Sequence, residues 1–190
     1  MSDFTIHTRD SAPEASKELL GAAEAKYGFV PNLMGEMAEA PSMLKAYLAL
    51  GEALEASSLT PKEQQVVVLT MSYLNQCAYC MTAHSAVAKM VRLPQSEISA
   101  LREGRPLNDA KLEALRRFAG LLVEQRGRAS EEDVATFLAA GYTQAQILEV
   151  IVGLAFKTLS NFTDHLADTP IDKQFAPFRW EPPEVTRSAA

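Results

Sequence analysis

From Pro13 to Ala167 the sequence is punctuated by helix starts and stops, and this limits the fold to an all-α bundle. Residues 13–26 form an Ala/Glu/Lys/Leu segment ended at Gly28, with Pro31 beyond it. Residues 32–39 read as a short helix stopped before Pro41, and residues 41–56 carry Leu44, Tyr47, Leu48 and Leu54 on a helical period. Thr60 opens the next helix as N-cap. Pro61 takes the first helical position, where its missing N–H does no harm, and Glu63 completes a capping box. The β-branched run after it, Val66 to Leu69, also suits a strand. The cap and the apolar spacing through Tyr73 and Leu74 predict a buried helix instead. Further helices are expected over residues 76–91, 94–103, 109–124, 131–140, 143–159 and 161–167, with a second capping box at Ser130 and Asp133.

From Thr169 the chain changes character: prolines interrupt it and aromatics gather around Trp180. Residues 169–190 read as an arm on a single domain spanning 1–190. A packed tail and a subunit-embracing arm both account for the aromatics, and the last few residues are expected to be disordered. A faint repeat also runs through the chain. "LTPKEQQVVVLTMSYLNQCAYCMTAH" and "YTQAQILEVIVGLAFKTLSNFTDH" each give a Thr-capped apolar helix, a polar junction and a helix with His near its start. Cys80 and His84 then align with Asn161 and His165, which suggests two similar helix-pair halves.

A net charge of −6, with no dense Lys/Arg cluster, argues against a nucleic-acid partner. No apolar run approaches the ~20 residues that span a bilayer; the longest, Ile147 to Phe156, is interrupted by Glu149 and bounded by Lys157. The N-terminus lacks a basic stretch followed by an apolar one, so no signal peptide and no membrane partner are expected, and a cytoplasmic location is the default.

In that setting "NQCAYCMTAHSAVA" carries the chemistry. It holds both cysteines of the chain, Cys77 and Cys80, and one of its three histidines, His84. On a helix these three fall at i, i+3 and i+7, on one stripe. Two Cα atoms three apart lie roughly 5–5.5 Å from each other, inside the ~4.4–6.8 Å disulfide window. A close pair in a reducing compartment points to redox or metal chemistry rather than a permanent disulfide. Closed structural zinc needs four protein ligands. Cys77, Cys80 and His84 give three, and His7 and His165 are distant in sequence, so no metal is expected. Thiolate chemistry has two sources of help. With Asn75 as N-cap, the helix dipole favours Cys77; His84, one turn beyond Cys80, favours Cys80 as a proton relay. The residues leave that choice open.

The same stretch resembles the carboxymuconolactone decarboxylase / alkylhydroperoxidase D family, in its peroxidase-related branch. "YGFVPNLMGEMAEAPSMLKAYLAL", "AGYTQAQILEVIVGLAFKTLSNF" and "TPIDKQFAPFRW" extend the likeness over most of the chain. The resemblance implies an all-α, alkylhydroperoxidase D-like helical bundle that assembles as a trimer or hexamer. By position it makes Cys80 the peroxidatic cysteine, Cys77 the resolving one and His84 the relay. The family's cysteine-free decarboxylase members make decarboxylation the disfavoured activity. Two positions depart from the pattern. The relay glutamate, twelve residues before the first cysteine, is replaced by Gln65, and an amide cannot accept a proton as a carboxylate does. The residue before the second cysteine is Tyr79, where the best-known members often have His. Glu63 is turned roughly 200° round the helix from Gln65, which leaves Glu52 or Glu55 as replacements from a neighbouring helix.

The expected function is therefore a thiol-dependent peroxidase-like oxidoreductase, slower or differently driven than its relatives. Its substrate would be a hydroperoxide, its reductant a dithiol protein, thioredoxin-like or lipoyl-carrying. No bound organic cofactor is expected, since no Gly-rich nucleotide loop is present. The alternatives are a redox sensor or thiol-disulfide exchange protein, favoured by Gln65, and a small-molecule lyase or binding protein on the same fold with the cysteines incidental.

Overall fold

The computed structural model describes residues 4–183, and they form helices joined by short turns without a strand among them. In chain order these are α1 (Glu14–Tyr27), α2 (Asn32–Met37), α3 (Pro41–Glu55), α4 (Pro61–Leu74), α5 (Ala78–Met90), α6 (Gln95–Glu103), α7 (Ala110–Glu124), α8 (Glu131–Ala139) and α9 (Gln144–Ala167), followed by a 3₁₀ turn at Ala176–Phe178. The expected capping boxes form. Thr60 Oγ1 accepts from the Glu63 N–H at 3.3 Å and Glu63 Oε2 accepts from the Thr60 N–H at 2.8 Å; Ser130 and Asp133 repeat the arrangement at the start of α8.

α4 is the axle of the bundle. Every residue from Glu63 to Ser72 is buried, so Val66 to Leu69 form the all-round apolar surface of a central helix rather than a strand. α5, α6, α7 and α9 pack against α4, while α3 lies along α9. One core surrounds Val66, Leu69, Leu115, Phe118, Phe137 and Val150; a second, under α1, α2 and α3, holds Leu20, Leu33, Met34, Leu44 and Tyr47 together with Cys77, Tyr79 and Cys80.

α9 differs from expectation. The two segments expected over 143–159 and 161–167 join into one helix of 24 residues, with no break at Ser160. Joined, it is long and apolar enough to cross a membrane by length and composition, a property neither segment has alone. Its burial pattern is that of a core helix turned partly inside out. The inward stripe runs Val150, Gly153, Lys157, Ser160, Asn161, Asp164, whereas Leu148, Ile151, Phe162 and Leu166 face outward. α9 closes on α4 at Gly153, where a Cβ would meet Val67 Cγ1 at 2.7 Å.

Residues 169–183 fold back along the bundle. The Trp180 N–H donates to Thr82 Oγ1 at 3.0 Å and its indole N–H to the Arg102 carbonyl at 2.8 Å. The expectation of disorder at the extreme C-terminus falls outside the described residues.

Candidate active site

The site is built on the turn between α4 and α5. Gln76 adopts the left-handed conformation (φ 53°), its N–H bonds to Tyr73 O at 2.9 Å and the Cys77 N–H to Ser72 O at 3.0 Å, a Schellman closure of α4. This moves the expected start of α5. Asn75 ends α4 and spends its side chain on Asn161, donating from Nδ2 to Oδ1 at 2.9 Å, so it cannot cap α5. Cys77 is the N-cap instead: its Sγ accepts from the Cys80 N–H at 3.3 Å. The two thiols, both free, therefore meet through a cap rather than a helical stripe.

Their surroundings are opposite in sign. Cys80, 1% exposed, faces α9. Burial raises a thiol pKa, but here the adjoining Cys77 side chain, the Lys157 ammonium and the Ser160 hydroxyl outweigh it and bring Cys80 down to about 6. Cys77, fully buried, donates its S–H to Asp164 Oδ2 at 3.0 Å. Burial, its bond to Cys80 and the charges of Cys80 and Asp164 all push its thiol far up. The helix dipole thus fails to favour Cys77 because a carboxylate already occupies that helix end. Asp164 reaches the start of α5, where the Tyr79 backbone N–H also faces it. Burial raises the Asp164 carboxyl, and these hydrogen bonds only partly offset it.

His84 lies one turn beyond Cys80 on α5 and is held by Gln65, Nδ1 to Oε1 at 3.1 Å. With the amide oxygen facing it, Nδ1 carries the proton and Nε2 is left as an acceptor. Burial and then Lys157 hold its pKa well below 6.5, so the ring is neutral. The other carboxylates considered for the relay are engaged or outside. Glu63 is spent on its capping box and on Lys111 at 3.0 Å, Glu55 bonds to Lys26 at 2.5 Å, and Glu52 is exposed. Tyr79 lies in the same buried cluster as the cysteines, but its hydroxyl faces away: it donates to Asp172 Oδ2 at 2.5 Å and so ties the C-terminal segment to α5. Of the distant histidines, His7 pairs with Glu39 at 2.6 Å. His165 does come back to the site, with its ring nitrogen, Cys77 Sγ and an Asp164 oxygen all within 4.8 Å, three groups where closed zinc needs four.

Sequence reasoning missed α9's contribution. Lys157, Ser160, Asn161 and Asp164 recur at i, i+3, i+4 and i+7 and are all buried. Lys157 Nζ sits 5.2 Å from the Phe156 ring, and neither it nor Asn161 Nδ2 has a hydrogen-bond partner among the described residues. The signal was available: four polar residues at helical spacing inside the most apolar helix.

With this geometry in place, comparison with known proteins is informative. The carboxymuconolactone decarboxylase family model matches residues 41–120, the stretch that holds Gln65, Cys77, Cys80 and His84. Over these residues the chain is similar to the carboxymuconolactone decarboxylase family. The match ends before α9, so Lys157, Ser160, Asn161 and Asp164 lie outside it. Among solved structures, the fold is similar to that of an uncharacterised peroxidase-related protein from Ralstonia eutropha JMP134, described as an alkylhydroperoxidase AhpD core (TM-score 0.81, 22% identity, covering 92% of this chain and 94% of that one). A peroxidase-related protein from Silicibacter sp. TM1040 gives a TM-score of 0.78 at 21% identity, covering 94% and 95%. The debrominase Bmp8, as a variant in complex with 2,3,4-tribromopyrrole, gives 0.77 at 18% identity, covering 94% and 96%. No curated protein matches the chain. The all-α, alkylhydroperoxidase D-like fold is thereby shown; its chemistry rests on the site.

Proposed function

We propose that the chain is a dithiol oxidoreductase that reduces a hydroperoxide, with Cys80 as nucleophile and Cys77 as resolving thiol. The observation that carries this reading is the opposite polarity at the two sulfurs: a cation and a hydroxyl at Cys80, a carboxylate at Cys77. A thiolate attacks the peroxide oxygen, so the sulfur held as thiolate near neutral pH is the one that reacts. The Cys80 thiolate displaces RO⁻ and becomes a sulfenic acid, and RO⁻ takes from water the equivalent of the proton that Cys80 released on ionising, which makes the alcohol. Cys77 then closes the disulfide with loss of water, and a dithiol protein, thioredoxin-like or lipoyl-carrying, restores both thiols. Gln65 holds His84 in one tautomer and leaves Nε2 as a hydrogen-bond acceptor.

The test is stopped-flow thiol oxidation by hydrogen peroxide and an organic hydroperoxide. Cys80→Ser is expected to abolish the reaction. Cys77→Ser is expected to retain the first step and accumulate sulfenic acid, trapped with dimedone. Oxidation no faster than that of free cysteine would overturn the reading. A second electrophile belongs in the same experiment. The side chains packed with the cysteines are apolar, Leu33, Met34, Met37, Leu44 and Tyr47 among them, and a dithiol also supplies the two electrons that replace C–Br by C–H. Bromide release from a brominated pyrrole, with disulfide formation, would favour this second reading.

A further inference from the structure

We propose that Asp164 is the base for the resolving thiol: it takes the Cys77 proton through their 3.0 Å hydrogen bond as the Cys77 sulfur attacks Cys80. The proposal deepens the dithiol reading above and rests on it. Gln65 stands where the resemblance places a carboxylate, and its one hydrogen bond is to His84, so α4 supplies no base to either sulfur. The carboxylate comes instead from α9, at the other cysteine. Asp164 is 9% exposed and Cys77 0%, so solvent does not compete for the proton. Ser160, one turn earlier on the same stripe, serves Cys80. One face of one helix thus addresses both sulfurs in their different roles.

The step balances. The Cys77 S–H bond breaks and its proton passes to Asp164. The Cys77–Cys80 S–S bond forms as the S–O bond of the Cys80 sulfenic acid breaks. The departing hydroxide takes the proton from Asp164 and leaves as water. Cys77 sulfur is oxidised, Cys80 sulfur is reduced, and Asp164 ends ionised as it began. The charged and titratable groups around Asp164 are Glu36 on α2, Cys77 at the cap of α5 and Cys80 on it, Lys157 and His165 on α9, and Asp168 and Asp172 beyond it.

The test separates the two thiol steps in full-length Asp164→Asn protein. Dimedone-trappable sulfenic acid is expected to form at close to the normal rate, while its closure to the disulfide slows by roughly 100-fold, the lower range for loss of a general base. Closure should become proportional to hydroxide concentration, a change that a merely structural role would not produce, and Asp164→Glu should recover part of the rate. Closure at the normal rate in Asp164→Asn would overturn the proposal. Absence of sulfenic acid in Cys77→Ser protein would instead count against the peroxide reading. The Asp164 step is then read with hydroxyethyl disulfide, which loads Cys80 as a mixed disulfide that Cys77 must resolve, with 2-mercaptoethanol as the released thiol. Should Asp164→Asn fail to fold, the unaltered protein decides: closure that is flat at neutral pH and falls as acid protonates Asp164 supports the base, and closure rising tenfold per pH unit through neutrality overturns it.

Discussion

The α4–α5 pair and α9 look alike in sequence, each a Thr-capped apolar helix leading into a polar junction and a histidine. In the fold one breaks and the other does not. After Leu74 the chain turns through left-handed Gln76, and Cys77 becomes the cap of a new helix. After Leu159 helix α9 runs on through Ser160 and Asn161 to Ala167. The break presents two sulfurs at a helix start. The continuity keeps Lys157, Ser160, Asn161 and Asp164 in register on one stripe facing them. The repeat is therefore no duplicated site. One copy carries the reactive atoms, and the other carries the charges that distinguish them.

The largest expected effect comes from removing the cation of the unbroken copy. Lys157→Met should return Cys80 toward the ordinary thiol range, since burial alone raises it and Lys157 is among the groups that bring it down. Any rise from about 6 lowers the thiolate fraction at pH 7 below its nine-tenths, and with the Cys77 contact and the Ser160 hydroxyl still in place oxidation by peroxide should slow by roughly tenfold. In the unaltered protein the rate should rise through about pH 6 and level off by neutrality; in Lys157→Met the rise should move to higher pH. Thiolate absorbance at 240 nm follows both. An unchanged pH profile in Lys157→Met would break the contrast between the two copies.

A smaller effect is expected within the broken copy. Gln65→Ala leaves His84 Nδ1 without its partner in a buried site, at a cost of about 1–3 kcal/mol, read as a lower urea midpoint. The Cys80 titration should barely move, because neither Gln65 nor His84 is among the groups that set it. A large shift of that titration would mean that His84, rather than Lys157, holds Cys80 as a thiolate.

The helices, their caps and the central place of α4 were legible because capping boxes, glycine and proline stops and apolar periodicity are local signals. The cysteine pair and His84 were legible for the same reason, being adjacent in the chain. The polarity of the pair was not. It depends on Asp164 and Lys157, some eighty residues downstream, and on the exact start of α5. Asn75 has the right chemistry for an N-cap, and nothing local to it shows that Asn161 takes its side chain. The break at Gln76 was hidden as well, because glutamine carries no left-handed preference. Only the Schellman pairing of Tyr73 and Ser72 carbonyls with the two following N–H groups shows why the chain turns there. Asn161, like Asn75 a polar residue after an apolar run, suggested a second break, but α9 runs through it unbroken.

The break itself can be weighed by one exchange made in both copies. A non-glycine residue in the left-handed region is disfavoured by roughly 1–2 kcal/mol, a strain that Gln76 bears at φ 53°. Gln76→Gly removes it but gives back about 0.5–1 kcal/mol through the greater freedom of glycine in the unfolded chain. The expected net is a gain of about 0.5 kcal/mol, seen as a higher urea midpoint at unchanged m-value. Phe162→Gly, on the exposed face of unbroken α9, relieves no strain. It should lose about 1 kcal/mol in helix propensity, with its ring contact to His165 lost besides. Opposite signs for glycine at these two positions would show that backbone geometry separates the broken copy from the unbroken one. A loss at Gln76 as large as that at Phe162 would mean that the turn is held by the Gln76 side chain, and the strain account of the break would fail.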